Sequence, residues 1–259
     1  MAKAGQLDAR TGRGRSVRFP PLAAPCGSAA GIVGRVTGMS LVLITGAARA
    51  NSIAAGIASR LTSEGWEVVT SDLMNADYLC DLSSPAGPEK LVAAVNRDHG
   101  PIDALILSHA HDVQSGILDT TAEAFDTHVS VNARASLLLI ASFARQIPAE
   151  GGAIVALTSD HTTGNLPYGA SKGALDRIVI SAARELGPLG ISANALNPGP
   201  IDTGWMDERL RDILTADHAL GRLGTPTDIA GVVSFLISHD GRWVSGQLLQ
   251  TDGGFSARF

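Results

Sequence analysis

Cysteine is scarce in this sequence, which has two such residues, Cys26 and Cys80, among 259. Two cysteines give neither a disulfide framework nor the spacing of a metal site, so they predict a protein of a reducing compartment, the cytoplasm. Long apolar runs are also missing, and none approaches the roughly 18 residues that indicate a membrane-spanning helix. The formal net charge is −5, which gives no reason to expect nucleic-acid binding. We therefore expect neither a membrane nor a nucleic acid as partner.

The remaining composition is typical of one globular α/β domain. Hydrophobic residues make up 45% of the chain and 29 residues are glycine, which suits a buried core with many tight turns. Residues 1–38 differ, since they hold six Lys or Arg residues, one acidic residue and no helical or strand period. We interpret them as a disordered or misassigned extension, in the second case with Met39 as the true start; a transit peptide is the alternative. Residues 39–259 form the predicted domain.

From Leu41 onward, short apolar runs alternate with stretches of helical spacing. Repeated β-α units imply right-handed crossovers and ligands at the carboxyl ends of the strands. The sequence therefore predicts a single-domain, Rossmann-type, doubly wound parallel sheet of about seven strands with helices on both faces. Strands are expected at 41–44, 66–70, 78–80, 104–107, 153–157, 191–196 and 247–249, and helices at about 53–61, 88–96, 123–146 and 228–238 and around Tyr168.

Tyr168 and Lys172 stand four residues apart at the start of a predicted helix. This spacing puts both side chains on one helix face. A nearby cation favours phenolate over phenol, so Lys172 is expected to lower the pKa of Tyr168 from its free value of about 10. A tyrosine that exchanges a proton near neutral pH is a general acid-base catalyst. Such pairs also occur by chance on helices, so the neighbouring motifs decide whether this one is catalytic.

The turn after the first predicted strand is where the pyrophosphate of a dinucleotide would lie. The N-terminus of the next helix offers unpaired N–H groups and partial positive charge there. Glycine occupies the first position of this turn, Gly46, whereas a Rossmann turn usually has three glycines. Ser52, next to Ile53, is small enough to admit phosphate and is also suited to cap the helix. An ordinary tight turn with a serine cap is the alternative.

Asp72 and Arg49 bear on the choice between NAD and NADP. Asp72 ends the second predicted strand, where an acid accepts hydrogen bonds from the adenosine ribose and repels a 2′-phosphate. This favours NAD. Arg49, in the glycine turn, is a basic residue that could pair with a 2′-phosphate, so NADP stays possible. A solvated acid at the start of a loop is the alternative for Asp72.

A series of motifs resembles the short-chain dehydrogenase/reductase family, and the resemblance covers residues 39–259. Each motif alone is weak evidence, whereas the ordered series is highly specific. The series comprises Thr45-Gly46, Asp81-Leu82, Asn132, Ser159, Tyr168-x-x-x-Lys172, Asn197-Pro198-Gly199-Pro200-Ile201-Asp202-Thr203, the stretch 221–230, Ser245-Gly246-Gln247 and Asp252-Gly253-Gly254.

The resemblance implies four catalytic residues. Tyr168 matches the acid-base residue of the family, and Lys172 matches the residue that lowers its pKa and bonds the nicotinamide ribose. Ser159 would orient and polarise the substrate carbonyl, and Asn132 would hold a water in the proton relay behind the lysine. The alternatives are that Asn132 only braces its helix and that Ser159 only caps a turn.

The resemblance also implies contacts to the cofactor. Asp81 and Leu82 match the adenine-side contacts of the family. The segment after the sixth strand matches the one that packs beside the nicotinamide and holds its carboxamide, although its last residue could instead cap the next helix. The matching residues of that segment are Pro198, Gly199, Ile201 and Thr203.

The sequence departs from the family in three places. The glycine turn is divergent and resembles the enoyl-reductase branch, but that branch spaces its tyrosine and lysine more widely, so we reject that activity. Residues 107–110 replace the asparagine-rich stretch after the fourth strand. Ser159 lies nearer to Tyr168 than in most members, which leaves Thr158, Thr162 and Thr163 as rival hydroxyls.

The sequence as a whole predicts an oxidoreductase that interconverts a secondary alcohol and a ketone with a nicotinamide cofactor. A non-catalytic, nucleotide-binding scaffold of the same fold is the alternative.

His109 and His111 have no partners that complete a metal site, so no metal is predicted. Residues 204–221, with Trp205, Met206 and Leu210, are expected to form a substrate lid. The resemblance also implies a homo-oligomer, either a tetramer or a dimer.

Overall fold

The computed structural model describes residues 39–161, 163–204 and 206–257. The extension expected at 1–38 therefore lies outside the described residues, as do Thr162 and Trp205. Within the described ranges, no helix is both long and apolar enough to cross a membrane.

Seven parallel strands form one sheet, in the spatial order β3-β2-β1-β4-β5-β6-β7. The order reverses direction between β1 and β4, which makes the carboxyl ends of these two strands the place where a Rossmann-type sheet opens a crevice for ligand. The predicted doubly wound parallel sheet is thereby confirmed. The strands are β1 (Leu41–Thr45), β2 (Glu67–Asp72), β3 (Tyr78–Leu79), β4 (Ala104–Leu107), β5 (Gly152–Leu157), β6 (Ile191–Asn197) and β7 (Leu248–Gln250).

Seven α-helices connect the strands, and local sequence signals mark their first turns. The hydroxyl of Thr225 and the carboxylate of Asp228 form a capping box at the seventh helix, which satisfies N–H groups that have no partner inside the helix. The helices are α1 (Ile53–Ser63), α2 (Gly87–His99), α3 (Ala122–His128), α4 (Ala135–Arg145), α5 (Leu166–Leu186), α6 (Glu208–Asp217) and α7 (Pro226–Ile237).

The sheet is buried on both faces, which explains why its central strands read as continuous apolar runs. In β1, Leu41 and Leu43 point into one hydrophobic core, together with side chains of α2, α4 and α5. Val42 and Ile44 point into the other core, together with side chains of α1 and α7. The two hydrophobic cores hold the sheet between the helices. The carboxyl ends of the strands are thereby fixed, and they position the site.

The structure shifts several predicted bounds by one to three residues, among them those of β2 and α2, and it differs further in the following ways. The helix expected at 123–146 is present, but its middle, Val129–Arg134, is π-helical and separates α3 from α4. The expected lid contains a helix, α6, for which the sequence analysis gave no bounds. The last strand begins one residue later than expected.

Candidate active site

The carboxyl end of β5 and the first turns of α5 bring the predicted acid-base pair together. Tyr168 and Lys172 share one face of α5, and Lys172 Nζ lies 5.7 Å from the centroid of the Tyr168 ring. Lys172 is enclosed, with 2% of its surface exposed, and its Nζ donates a hydrogen bond of 2.8 Å to the Leu157 carbonyl. Tyr168 is half-buried. The amine is therefore held against the strand end, beneath the phenol.

The prediction that Lys172 lowers the pKa of Tyr168 is wrong for this structure. The pKa of Tyr168 is raised to about 12, first because burial disfavours the phenolate and then because the Asp112 carboxylate repels it. A hydrogen bond from Ser159 lowers this pKa but is outweighed. Burial lowers the pKa of Lys172 to about 8, against the opposing charges of Asp176 and Asp112. Enclosure and an acid from another loop thus decide the acidity of the phenol.

The structure places the Ser159 hydroxyl at the Tyr168 phenol. It stabilises the phenolate through a side-chain hydrogen bond, and it accepts a hydrogen bond of 3.1 Å from the His161 backbone N–H. The second bond has the geometry of a short polar turn directly after β5. Ser159 therefore adjoins the acid-base residue even though the connecting loop is short.

The rival hydroxyls lie elsewhere, as far as the structure describes them. The Thr158 hydroxyl is buried and donates to Asp176 Oδ1, on the face of α5 that carries Lys172. Thr163 is exposed, and its carbonyl lies 3.1 Å from His161 Nε2. Thr162 is outside the described residues. Of the described hydroxyls weighed from the sequence, the Ser159 hydroxyl is the one that acts on the pKa of the phenol.

Asn132 lies in the π-helical segment and ties the loop after β4 to α5. Its Oδ1 accepts a hydrogen bond of 2.7 Å from the His111 backbone N–H, and its Nδ2 donates to the His111 carbonyl at 2.9 Å. Nδ2 also donates to Ser171 Oγ at 2.8 Å, and Ser171 Oγ donates to the Tyr168 carbonyl. These bonds fit the bracing role that the sequence left open, while the water relay stays a prediction.

The glycine turn lies at the switch point between β1 and β4. Gly46 has φ +80°, and a Cβ there would lie 2.6 Å from the His109 backbone nitrogen, so this position requires glycine. Ser52 caps α1, with its side chain accepting a hydrogen bond of 3.1 Å from the Ala55 N–H. Ile53 is the first residue of α1. The first N–H groups of the helix therefore face the crevice, where they are suited to bind phosphate.

Asp72 ends β2 beside this turn. Its Oδ2 accepts a hydrogen bond of 2.8 Å from the Ala48 N–H, and its Oδ1 accepts one of 2.6 Å from the Leu73 N–H. The carboxylate thus adjoins the glycine turn, as a contact to the adenosine ribose requires. Arg49 follows Ala48 and is exposed, so a basic side chain also lies in the turn.

The segment after β6 is fixed by close packing. Pro198 and Gly199 follow the strand directly, and a Cβ at Gly199, which has φ +64°, would lie 2.5 Å from Asp252 Cβ. Ile201 is buried and bridges to Gly224 in a parallel register. Glycine is required here by both the backbone and the close approach of Asp252.

Thr203 does not cap the following helix, which was one reading of its position. The N-cap of α6 is Asp207, whose Oδ1 accepts a hydrogen bond of 2.7 Å from the Leu210 N–H. Thr203 is half-buried in the bend before α6, so its hydroxyl is not used as a helix cap.

The two residues expected on the adenine side differ in environment. Asp81 is exposed, and the Ser83 side chain and then the Ser83 backbone N–H, which donates to Oδ1 at 2.8 Å, lower the pKa of its carboxyl group. Leu82 is buried in the hydrophobic core. Any contact of Leu82 with a ligand would therefore be through its backbone.

Three further residues belong to this region, and the sequence analysis did not assign roles to them. His109 is buried, with Nδ1 2.7 Å from Thr45 Oγ1 and Nε2 3.1 Å from the Val131 carbonyl, and burial lowers its pKa to about 3. It links β1, β4 and the π-helical segment as a neutral ring. Asp112 and Asp176 are the acids that act on Lys172. Asp112 is far from the pair in sequence and gave no signal, whereas Asp176 lies one helical turn after Lys172, a spacing that could have revealed it.

The chain has the strand order of a dinucleotide-binding fold and a helix N-terminus that is suited to bind phosphate. It also has an acid at the end of β2 and a tyrosine-lysine pair on α5. These features define a Rossmann-type oxidoreductase. Residues 46–256 match a family model described as "Enoyl-(Acyl carrier protein) reductase". The chain belongs to the short-chain dehydrogenase/reductase family.

Individual relatives agree with this membership. The chain is 32% identical to the "Uncharacterized oxidoreductase YjdA" of Bacillus subtilis, over 83% of this chain and 96% of that protein. It is 33% identical to the "Short-chain dehydrogenase/reductase eriH" of Hericium erinaceus, with the same coverage. Among solved structures, a blue fluorescent protein from a metagenomic library in complex with NADPH superposes with a TM-score of 0.77 at 28% identity, covering 84% of this chain and 98% of that one.

Proposed function

We propose that this protein interconverts a secondary alcohol and a ketone, using a nicotinamide cofactor and Tyr168 as acid and base. The observation that carries the proposal is the group of three side chains at the end of β5. Tyr168 meets the Ser159 hydroxyl, with Lys172 one helical turn away. This arrangement supplies a proton donor and a polarising hydroxyl to a single carbonyl oxygen.

Each of these side chains has a defined task in the proposed reaction. In reduction, Tyr168 donates its proton to the carbonyl oxygen, and in oxidation it takes the proton of the hydroxyl. Ser159 orients the same oxygen through its hydroxyl, while Lys172, one helical turn from the phenol, bonds the ribose of the nicotinamide. A bound nicotinamide supplies or accepts the hydride at the carbon.

The donors and acceptors around the switch point fit a dinucleotide. We propose that the first N–H groups of α1 bind the phosphates, and that the Asp72 carboxylate, which adjoins the glycine turn, accepts hydrogen bonds from the ribose hydroxyls. We propose NAD as the cofactor because Asp72 would repel a 2′-phosphate. Arg49 keeps NADP as a second possibility, and the NADPH complex of a structural relative is consistent with it.

Binding and turnover together test the proposal. NADH and NADPH are titrated against the protein and followed by nucleotide fluorescence, and Asp72→Ala is expected to weaken NADH binding more than NADPH binding. A panel of secondary alcohols, ketones and one enoyl thioester is then assayed with each nucleotide. Turnover of alcohols or ketones is expected. Failure to bind either nucleotide, or turnover of the enoyl thioester alone, contradicts the proposal.

A non-catalytic scaffold is the second candidate, and the glycine turn favours it. Gly46 is the one position of this turn that keeps the glycine of the family pattern, which weakens the case for tight nucleotide binding. Nucleotide binding without turnover across the whole panel would favour the scaffold over the dehydrogenase.

We further propose that the protein acts in the cytoplasm as a homo-oligomer, either a tetramer or a dimer. The low cysteine content supports a reducing compartment. Large apolar side chains exposed near the β7 edge, such as Trp243 and Leu248, support burial against a second copy.

A further inference from the structure

Asp112 stands on the loop after β4 and is held at the mouth of the site from two sides. The preceding residue, His111, has its backbone N–H and carbonyl bonded to the Asn132 side chain. Asp112 Oδ1 accepts a hydrogen bond of 2.7 Å from Asn165 Nδ2. Asn165 immediately precedes α5 and lies three residues before Tyr168, so the carboxylate is anchored to the helix that carries the acid-base pair.

The Asn165 amide is itself arranged around this carboxylate. Asn165 is 1% exposed, and its Oδ1 has no hydrogen-bond partner among the residues that the structure describes. A buried acceptor without a partner is costly. A carboxylate can only accept hydrogen bonds, so the amide directs Nδ2 to Asp112 and leaves Oδ1 without a partner. The hydrogen bond that holds the carboxylate is thus made at the expense of the amide oxygen.

Within the described part of the chain Asp112 forms no direct ion pair with a Lys or Arg side chain, although its charge acts through space on Lys172 and on the His111 ring. The Lys and Arg ion pairs found there all involve other acids. Lys172, the cation of the site, is enclosed and donates to the Leu157 carbonyl. Asp112 itself is exposed, and Asp160, next to Ser159, is an exposed acid as well. The mouth of the site therefore presents negative charge to an incoming substrate.

This charge opposes the chemistry of the free site. A carboxylate facing a phenol disfavours loss of the phenol proton, and Asp112 raises the pKa of Tyr168 in this way. A positive charge placed beside Asp112 would cancel that effect and would be attracted to the mouth by both acids. Asp112 would then oppose loss of the Tyr168 proton only while no cationic substrate is bound.

We propose that Asp112 is the counter-ion of a positively charged group on the substrate, so that the site acts on alcohols or ketones with an ammonium group close to the reacting carbon. The catalytic part of this inference rests on the proposed function. The binding of a cation beside Asp112 can be measured without turnover. In oxidation of such an amino alcohol, the carbinol carbon loses a hydride to the oxidised nicotinamide, its hydroxyl proton goes to the Tyr168 oxygen, and a carbonyl forms.

Two probes of the same shape separate charge from fit. β-Methylcholine carries a trimethylammonium group two bonds from a secondary carbinol carbon, and 4,4-dimethylpentan-2-ol has a neutral tert-butyl group in its place. The full-length protein with NAD or NADP is assayed with both. We expect kcat/KM for β-methylcholine to exceed that for the neutral probe by about tenfold or more, because an ion pair is present for one probe only.

Asp112→Asn is the matched variant, since an asparagine oxygen still accepts the hydrogen bond from Asn165 Nδ2 and only the charge is removed. We expect this variant to lose the preference for β-methylcholine. Asp240→Asn, which removes an exposed charge after α7, should keep it. Circular dichroism and thermal melting check that both variants are folded. Equal use of the two probes by the unmodified protein, or a preserved preference in Asp112→Asn, overturns the proposal.

Saturation-transfer NMR decides the case in which neither probe is turned over. With dinucleotide present, β-methylcholine should bind to the unmodified protein and much more weakly to Asp112→Asn, while the neutral probe should not distinguish the two. Equal binding in both proteins overturns the proposal. A failure of the proposed function is recognised separately, either because neither NADH nor NADPH binds or because no alcohol or ketone of the panel is turned over.

Discussion

The chain has two tyrosines, Tyr78 and Tyr168, so the proposed acid-base residue can be titrated individually. Tyr78 is replaced by Phe, and the ultraviolet absorbance of tyrosinate is followed as the pH rises. We expect Tyr168 to titrate well above the ordinary tyrosine value, near the pKa of about 12 that burial and Asp112 produce. Asp112→Asn should lower this pKa, because it removes the repelling charge. If Tyr168 titrates at or below the ordinary tyrosine pKa in the protein that keeps Asp112, this account is contradicted.

Lys172 gives a pH dependence of stability with a definite sign. Its pKa in the folded protein is about 8, below the ordinary lysine value of 10.5, because burial disfavours the ammonium. Between these values the unfolded chain keeps a proton that the folded chain has released, so the free energy of unfolding rises with pH, by about 1.4 kcal/mol per pH unit. This contribution is lost as the pH falls through about 8.

Lys172→Met should remove that slope, since methionine does not titrate. Urea unfolding of both proteins at pH 8 and pH 10 measures it, and the unmodified protein should gain about 2 kcal/mol relative to the variant. Parallel pH profiles for the two proteins would show that Lys172 titrates as in water.

At the scale of elements, replacing Ser52 tests whether its hydroxyl caps α1, contacts the phosphates of the dinucleotide, or does both. Ser52→Ala removes the hydrogen bond to the Ala55 N–H and should lower the free energy of unfolding by about 1 kcal/mol. If Ser52 also admits phosphate through its hydroxyl, the Kd for NADH rises as well. Thr225→Ala, which removes the cap of α7, is the matched control and should lower stability without changing the Kd.

The elements were largely predictable because the sheet is buried on both faces. Leu41–Thr45 and Ala104–Leu107 are continuous apolar strands in a parallel sheet, and such runs are visible in a sequence. The π-helical turn was not predictable, because it depends on where Asn132 meets His111 and Ser171 across the fold. The bounds of helix α6 were not predicted, although Leu210, Ile213 and Leu214 recur at helical spacing, because the helix is short and none of its residues is buried.

The candidate site divides in the same way. Tyr168 and Lys172 are one helical turn apart, so local spacing was enough to pair them. The pKa of Tyr168 was predicted in the wrong direction, because it depends on burial and on Asp112, a residue 56 positions earlier in the chain. Thr158 and Ser159 are adjacent in sequence and point to different partners, which only the three-dimensional structure separates.

At the scale of the whole molecule, the sheet has β3 at one edge and β7 at the other. The segment before β7 exposes Trp243, at 98% of its surface, and β7 itself exposes Leu248. We expect a second copy of the chain to cover this edge, because a fully exposed tryptophan is costly to keep in water. Trp243→Glu should therefore lower the mass measured by sedimentation.

Met74→Glu provides the control for that experiment. Met74 is also exposed, but it follows β2, toward the opposite edge of the sheet, so the same charge placed there should leave the assembly unchanged. An unmodified protein that sediments as a monomer, or an assembly that tolerates Trp243→Glu, would contradict the homo-oligomer.

Turnover by Tyr168→Phe tests the central claim most directly. The substitution removes one oxygen atom and leaves Lys172, Ser159 and the dinucleotide-binding residues in place. With any alcohol or ketone that the unmodified protein turns over, we predict a loss in kcat of about 100-fold or more, with the Kd for the dinucleotide changed little. Turnover by Tyr168→Phe at the unmodified rate would contradict the claim that this phenol carries the proton.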